Sequence, residues 1–169
     1  MKRNILRFAF FGNEYQAKKS QAVYKIIAFL QQRKAEILMD KPFYEFITQG
    51  QRLDISVTRV FEDDDFEADF AVSMGGDGTL LETAARVGAK GIPIIGVNIG
   101  RLGFLAAVNP SEIENAFGAV YGGDYIVKEH TVIKLETEGG GEVMTSPYAL
   151  NDIALLKRDN ASMISIRTS

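Results

Sequence analysis

One aspartate of this sequence stands among glycines where a predicted strand gives way to a predicted helix. The stretch FAVSMGGDGTLLETAAR, residues 70–86, places Asp77 between Gly76 and Gly78 directly after an apolar run. Glycine lets a ligand approach the backbone closely, and the free N–H groups at a helix start favour a phosphate. A carboxylate among such groups is electrostatically costly unless it performs a task, such as holding Mg²⁺ or accepting a proton from an attacking hydroxyl. The turn therefore favours phosphoryl transfer over simple phosphate binding.

The same turn has a purely structural interpretation. A tight strand-to-helix connection uses glycine for its geometry alone, and aspartate is a common turn residue. The combination of Gly75 with a Ser/Thr-x-x-Glu capping box, Thr79 and Glu82, makes this interpretation less favoured and predicts that the helix begins at Thr79. The sequence contains neither G-x-x-x-x-G-K-[ST] nor G-x-G-x-x-G, so it lacks the P-loop and the dinucleotide fingerprint of the dehydrogenases.

The elements that would position this turn alternate along the first part of the chain. Apolar runs predict strands at 5–12, 35–39, 54–61, 70–74 and 92–97, and amphipathic or capped segments predict helices at 14–34, 41–50, 79–88 and 110–123, the last with Ser111 and Glu114 as a capping box. Strands that are apolar throughout, each followed by a helix, favour a parallel sheet covered on both faces. We therefore predict a Rossmann-like α/β domain over residues 1–123.

The pattern changes after Gly123. Residues 125–146 alternate as two strands about the turn EGGGE, and residues 152–159 and 163–169 are further strand candidates without an intervening helix. A segment of this size that consists of strands alone cannot easily build a two-layer core. We therefore expect residues 124–169 to be the beginning of a second, all-β domain, and the chain to stop inside it.

Composition limits the possible partners and compartments. The 169 residues carry a net charge of −3, which argues against nucleic acid or an anionic membrane surface as the main partner. There is no cysteine for a disulfide or a thiolate metal site. The apolar run near the start is too short for a signal peptide, and no run reaches transmembrane length. These features predict a cytoplasmic protein.

Three motifs resemble those of the NAD kinases in order and spacing. They are GGDGTLL at 75–81, IIGVNIGRLGFLA at 94–106 and ALNDIALLKRD at 149–159. The glycine-aspartate motif is shared with diacylglycerol and sphingosine kinases and with phosphofructokinases. The segment from Asn98 to Phe104 is more specific, because the lipid kinases carry a proline-leucine-glycine-threonine segment there.

The resemblance implies transfer of a phosphoryl group from ATP or polyphosphate to the 2′-hydroxyl of the adenosine ribose of NAD, which gives NADP. It also implies a divalent metal such as Mg²⁺, an α/β domain followed by a β-sandwich, and a homodimer or homotetramer. Asp77 matches the family's proposed general base, a role whose loss would reduce turnover while NAD affinity stays within severalfold. Residues that match NAD- or ATP-binding positions are Gly75, Gly76, Gly78, Thr79, Asn98, Gly100, Gly103, Phe104, Asn151 and Asp152.

By themselves, several of these residues also fit ordinary structural roles. Asn98 could cap a turn, Phe104 could belong to the core, and Asn151 and Asp152 could form a loop before a strand. Family members usually carry glutamate where Asp152 stands, so the contact of this shorter side chain is open.

Other departures concern residues outside the motifs. The family often has arginine where His130 stands, and His130 is expected to be a strand-surface residue; Lys157 and Arg158 are expected to be a solvated pair. The family's Thr-Pro-Thr-Gly-Ser-Thr-Ala-Tyr segment is expected beyond Ser169, so we expect the 169-residue chain alone to be inactive. The alternative functions are a lipid kinase of the same superfold and a non-catalytic nucleotide-binding fragment. The sequence leaves the choices between NAD and NADH and between ATP and polyphosphate open.

Overall fold

The first part of the chain is built on a five-stranded parallel sheet. The computed structural model describes residues 5–12, 21–50, 54–99, 103–136, 147–150 and 152–153. The strands are β1 (Arg7–Gly12), β2 (Glu36–Asp40), β3 (Arg59–Phe61), β4 (Phe70–Gly75) and β5 (Ile94–Asn98). They lie side by side in the order β3-β2-β1-β4-β5. All four pairings between neighbouring strands are parallel.

Helices cover both faces of this sheet. They are α1 (Gln21–Gln32), α2 (Lys41–Glu45, continued by a π-helical turn over Phe46–Gly50), α3 (Asp77–Val87) and α4 (Ile113–Gly122). Buried side chains of α1, α2 and α4 join one core cluster, and Val87 at the end of α3 joins the other. The chain is therefore a layered α/β structure, as the sequence predicted.

The alternation of β1 explains why both faces need helices. Phe8 and Phe10 enter the larger core, whereas Ala9 and Phe11 enter the smaller one. Successive side chains of a strand point to opposite faces, so an apolar run without polar positions requires cover on each side. The ring of Phe8 stacks on that of Phe70 with centroids 5.6 Å apart, which ties β1 to β4 across the sheet.

The start of α3 differs from the prediction. The helix begins at Asp77 with Gly76 in extended conformation at its N-cap, and no side chain caps it. The predicted capping box of Thr79 and Glu82 is therefore wrong. The physical reason is that the side chain of Thr79 is buried against Gly75, in the space that a side chain at position 75 would fill.

The start of α4 also differs from the prediction. The helix begins at Ile113 after Glu112, without a side-chain cap, so the predicted box of Ser111 and Glu114 is wrong. Instead, the Glu112 carboxylate accepts a hydrogen bond of 3.0 Å from the side-chain amide of Asn109, which stabilises the preceding turn.

Two other predicted elements agree with the described structure only in part. The strand predicted over 54–61 is confined to Arg59–Phe61, and residues 54–57 have no regular structure. The predicted helix over 14–34 begins outside the described residues, which resume at Gln21.

The second part contributes a small antiparallel sheet. Strand β6 (Val132–Lys134) pairs with β7 (Tyr148–Leu150). Residues 124–131 have no regular structure, so the first predicted strand is confined to β6, and its observed partner lies just after the predicted hairpin. The predicted EGGGE turn and the candidate strands over 154–169 lie outside the described residues.

Among the described residues, no helix combines the length and the apolar character needed to cross a membrane.

Candidate functional site

The glycine-aspartate turn lies at the carboxyl end of the sheet, beside its topological switch point. From β1 the chain continues to β2 and β3 on one side, while β4 and β5 lie on the other. Ligands of open α/β sheets bind outside the carboxyl ends of strands at such a point. Gly75 ends β4, and α3 begins two residues later. The N-terminus of α3 therefore lies at the switch point.

The segment after β5 returns to lie beside the same turn. Asn98, the last residue of β5, is in register with Gly75 of β4 and is buried. Its backbone N–H donates to the carbonyl of Val108 over 2.8 Å, and the N–H of Val108 donates to Gly96 over 3.0 Å. A side chain at position 96 would meet the backbone of Ala106, so the glycine lets residues 103–108 cross β5 closely.

Asp77 joins this returning segment to the glycine turn. Its Oδ2 accepts a hydrogen bond from the backbone N–H of Phe104 over 2.8 Å. Its Oδ1 accepts two more, from Leu105 over 2.9 Å and from Ala106 over 3.1 Å. Donors that favour the ionised form, the Phe104 N–H foremost, hold the pKa of Asp77 below its ordinary value. The structure thus brings two of the three motifs together through one carboxylate.

The glycines of these two motifs serve different purposes. A Cβ at Gly75 would collide with the side chain of Thr79, and a Cβ at Gly103 would collide with the carboxylate of Asp77. In contrast, no described atom lies within 4 Å of the place where a Cβ at Gly78 would sit. Close packing within the protein explains the first two glycines, whereas the space at Gly78 is open.

Phe104 and Asn98 lie in opposite environments. The side chain of Phe104 is fully exposed, so the interpretation of this residue as part of the core is wrong. Its backbone follows the close approach of Gly103 to Asp77, which leaves the ring outside the sheet's core. Asn98 is buried at the end of its strand, next to the turn.

A cavity of about 550 Å³ lies on another side of α3, between this helix and β7. Asp152 lines it, as does Thr79 of the glycine turn, but Asp77, Asn98 and Phe104 do not. The predicted site residues therefore fall into two groups, one at the Asp77 carboxylate and one in the cavity. The cavity is lined by Phe11, Gly12, Asp40, Thr79, Leu81, Glu82, Thr83, Ala85, Arg86, Tyr148, Ala149, Leu150 and Asp152.

Sequence reasoning missed the ionic cluster at one wall of this cavity. Arg86 of α3 pairs with Asp40 at the end of β2 over 3.2 Å and with Asp64 of the acidic loop. It also donates to the carbonyl of Asp63 over 3.0 Å. Burial is the main cause that raises the pKa of Asp40, and Arg86 opposes it. No local pattern could have found this cluster, because its members come from three separate segments.

The structure describes only some of the other predicted residues. Gly100, Asn151, Lys157 and Arg158 lie outside the described residues. His130 is exposed in an irregular segment and not in a strand. Over the described ranges, no group of three or more histidine, cysteine, aspartate or glutamate side chains is arranged to hold a metal ion.

Comparisons with known proteins agree with this architecture. The family model described as ATP-NAD kinase N-terminal domain matches residues 8–125. A NAD kinase of Bacteroides fragilis is 47% identical over 164 residues, which cover 97% of this chain and 56% of that protein. A NAD kinase of Cytophaga hutchinsonii is 34% identical over 165 residues, with 95% and 56% covered. The chain thus spans about half the length of the curated relatives that it matches.

A solved structure supports the fold. Yeast NADH kinase, in a crystal structure of its complex with NADH, superposes with a TM-score of 0.68 and 16% identity, over 88% of this chain and 47% of that one. At that identity the likeness concerns the fold alone. The family model, which covers more than half of the residues, is decisive: the chain belongs to the NAD kinase family.

Proposed function

We propose that this chain provides the phosphate-binding part of a kinase that phosphorylates the 2′-hydroxyl of the adenosine ribose of NAD, with ATP or polyphosphate as donor. The single observation that carries the proposal is the junction of two motifs at the switch point, where Asp77 holds the backbone of residues 104–106 beside the glycine turn. The family match favours this activity over the lipid-kinase alternative.

The open space at Gly78 supports a role in phosphate binding. Gly78 lies in the first turn of α3, where backbone N–H groups have no partner within the helix. The helix dipole adds to the attraction for a negative charge. Because no side chain of the described residues lies within 4 Å of a Cβ at Gly78, a phosphate oxygen can approach these N–H groups without meeting one of them. We assign the phosphate groups of the donor to this turn, with Gly76 and Thr79 forming its sides.

Phe104 supports a role in nucleotide binding. A fully exposed phenylalanine leaves a large apolar surface in water, and aromatic rings gain free energy by stacking on other flat rings. We therefore assign Phe104 to contact with the aromatic part of NAD. Asn98 and Gly103 precede the ring, Asn98 at the end of β5 and Gly103 against the Asp77 carboxylate.

The reaction itself requires mainly positioning. The ribose 2′-oxygen forms a bond to the terminal phosphorus of the donor, and the bond from that phosphorus to the bridging oxygen breaks. The electron pair leaves with ADP or, when polyphosphate is the donor, with the shortened polyphosphate. The hydroxyl proton passes to a base or to solvent. A general base works best with a pKa near the working pH. The three N–H donors lower the pKa of Asp77, which makes it a weaker base than an ordinary aspartate in this arrangement.

We assign Asp152, together with Asn151, to the ribose or adenine of NAD on the strength of the family resemblance. Asp152 is exposed at the mouth of the cavity beside β7, so its carboxylate is accessible to a ligand. The shorter side chain, where relatives usually carry glutamate, places the contact one methylene closer to the backbone.

The resemblance supports further proposals about cofactor and assembly. Mg²⁺ in kinases is commonly held by phosphate oxygens with one or two carboxylates, so the donor itself would supply part of the site. We assign no residue to the metal, since the described residues do not form a cluster that fits one. We also propose a homodimer or homotetramer that works in the cytoplasm.

The test of this function is a substrate comparison with the product of the complete gene. Supplied with ATP and Mg²⁺, it should convert NAD to NADP and leave diacylglycerol and sphingosine in micelles unmodified. Phosphate on lipid and not on NAD would favour the lipid-kinase alternative. The absence of both products with intact nucleotide binding would favour the non-catalytic one.

A further inference from the structure

The three hydrogen bonds to Asp77 use both oxygens of its carboxylate. Consecutive N–H groups of residues 104, 105 and 106 converge on it at 2.8, 2.9 and 3.1 Å. Hydrogen bonds to an ionised acceptor are the stronger kind, and three of them on adjacent residues restrain the backbone of a segment that has no regular secondary structure. The carboxylate therefore restrains the backbone conformation of residues 104–106 before any substrate is bound.

Gly103 shows how closely the segment approaches Asp77. A Cβ at position 103 would fall on the carboxylate itself, with both oxygens and the carboxyl carbon as its nearest atoms. The space that the carboxylate occupies explains this glycine.

The restrained segment carries the exposed ring of Phe104. The ring is not packed against the core, so the direction of this side chain depends on the backbone of Phe104. The backbone N–H of Phe104 donates a hydrogen bond to Oδ2 of Asp77, and this bond restrains the backbone. Loss of the carboxylate would thus release the residue that we assign to NAD.

We propose that Asp77 is a positioning residue for NAD binding: its carboxylate clamps the backbone of residues 104–106 and so presents Phe104 to the substrate, and Gly103 makes room for this clamp. The proposal rests on the proposed function only where it names NAD. It adds an effect on NAD affinity, whereas a base alone would affect turnover and leave affinity within severalfold.

The clamp can be tested without any substrate, by NMR of the backbone amides in the 169-residue chain. In the native chain the amides of Phe104, Leu105 and Ala106 should be protected from exchange, and in Asp77→Asn at least one of the three should lose this protection. An asparagine keeps one acceptor but turns an N–H donor towards the other site. Glu114→Gln, which removes a carboxylate from the first turn of α4, is the matched control and should leave the three amides protected.

The same amides should report the ionisation of Asp77. Their resonances should move together as the pH falls through the pKa of Asp77, which lies below the ordinary aspartate value of about 3.9. Because the three hydrogen bonds favour the ionised carboxylate, the clamp is present at pH values above the pKa of Asp77 and is lost at pH values below it. No charged side chain of the described residues contributes to this shift. Unprotected amides in the native chain, or no common titration, would overturn the clamp.

The link to Phe104 needs a double-mutant cycle on NAD binding in the complete gene product, measured by calorimetry. Asp77→Asn and Phe104→Ala should each weaken NAD binding by about 2- to 12-fold, the factor that one lost aromatic contact produces. The double variant should bind no more weakly than the weaker single one. Gly103→Ala, which keeps the carboxylate but displaces it, should weaken binding by a similar factor.

The outcomes separate the clamp from the proposed function. Additive effects in the cycle, or unchanged NAD affinity in Asp77→Asn, would overturn the positioning role. A complete gene product that forms no NADP would contradict the proposed function, while the amide measurements would still decide on the clamp.

Discussion

The parallel and the antiparallel sheets of this chain bury their side chains to very different degrees. All six residues of β4 are buried, as are the central four of β1, whereas all three residues of β6 are exposed. The glycine turn extends from β4, so its geometry is fixed by a close-packed core. Asp152 follows β7 and is exposed. The turn that we propose to bind phosphate is therefore held by the close-packed core of the first part, whereas Asp152 follows a strand in which only Leu150 is buried.

The largest expected effect is on activity. We expect the 169-residue chain to unfold cooperatively through its parallel-sheet part but to form no measurable NADP, because it spans only about half the length of the NAD kinases that it matches. Positioning is a dominant contribution to phosphoryl transfer. The measurement is NADP formation by this chain beside the complete gene product at equal concentration. Comparable turnover would show that the 169 residues already contain a complete site.

The next effect is on stability, and it contrasts the two sheets directly. Phe8→Ala removes a fully buried ring that contacts Phe70 and Phe117, and should cost about 3–5 kcal/mol of unfolding free energy. Ile133→Ala on β6 should change it by no more than about 0.5 kcal/mol, since that side chain is exposed. Denaturant titration of both variants measures the difference. Equal costs would mean that β6 has a cover that the described residues do not include.

A smaller pair of effects separates two glycines of the same turn. Gly75→Ala should destabilise the chain by about 1–3 kcal/mol, because its Cβ would overlap the buried side chain of Thr79. Gly78→Ala should stabilise it by about 0.5–1 kcal/mol, because alanine is the better helix former and its Cβ meets nothing. Gly118→Ala in α4, where the space is also open, is the matched control and should stabilise similarly. A destabilised Gly78→Ala would argue that a protein segment fills this space.

The smallest effects concern exposed ion pairs in each part. Lys41 contacts Glu62 beside the parallel sheet, and Lys134 contacts Glu136 at β6, both over short distances on the surface. Solvent screening leaves such pairs with little net stability. Lys41→Gln and Lys134→Gln should therefore leave the midpoint of denaturant unfolding unchanged. A clear loss in one of them alone would show that charge, as well as burial, distinguishes the two parts.

Much of the fold could be predicted because its signals are local. The apolar runs of β1 and β4 lack polar positions, which indicates strands buried on both faces, and the structure confirms the parallel sheet. The predicted capping boxes were wrong because other contacts compete with such local patterns: packing at α3 and a hydrogen bond between Asn109 and Glu112 before α4. Thr79 fills space beside Gly75 and does not cap its helix.

The contacts within the candidate site could not be predicted from the sequence. The resemblance implied that Asp77, Asn98 and Phe104 serve one binding site, but it could not show that the carboxylate would bind the backbone of 104–106. That contact depends on how the segment crosses Gly96 on its way back along β5. The cluster of Arg86 with Asp40 was missed for the same reason, since it joins segments that are far apart in the sequence.

The measurement that tests the central claim most directly is the turnover of Gly78→Ala in the complete gene product. If the open space at Gly78 receives a donor phosphate, the added methyl group should displace it and lower kcat for NADP formation by about 10²-fold. The variant should lose no stability, and Gly118→Ala should keep the native turnover. Native turnover in a stable Gly78→Ala protein would contradict the assignment of the phosphate to this turn.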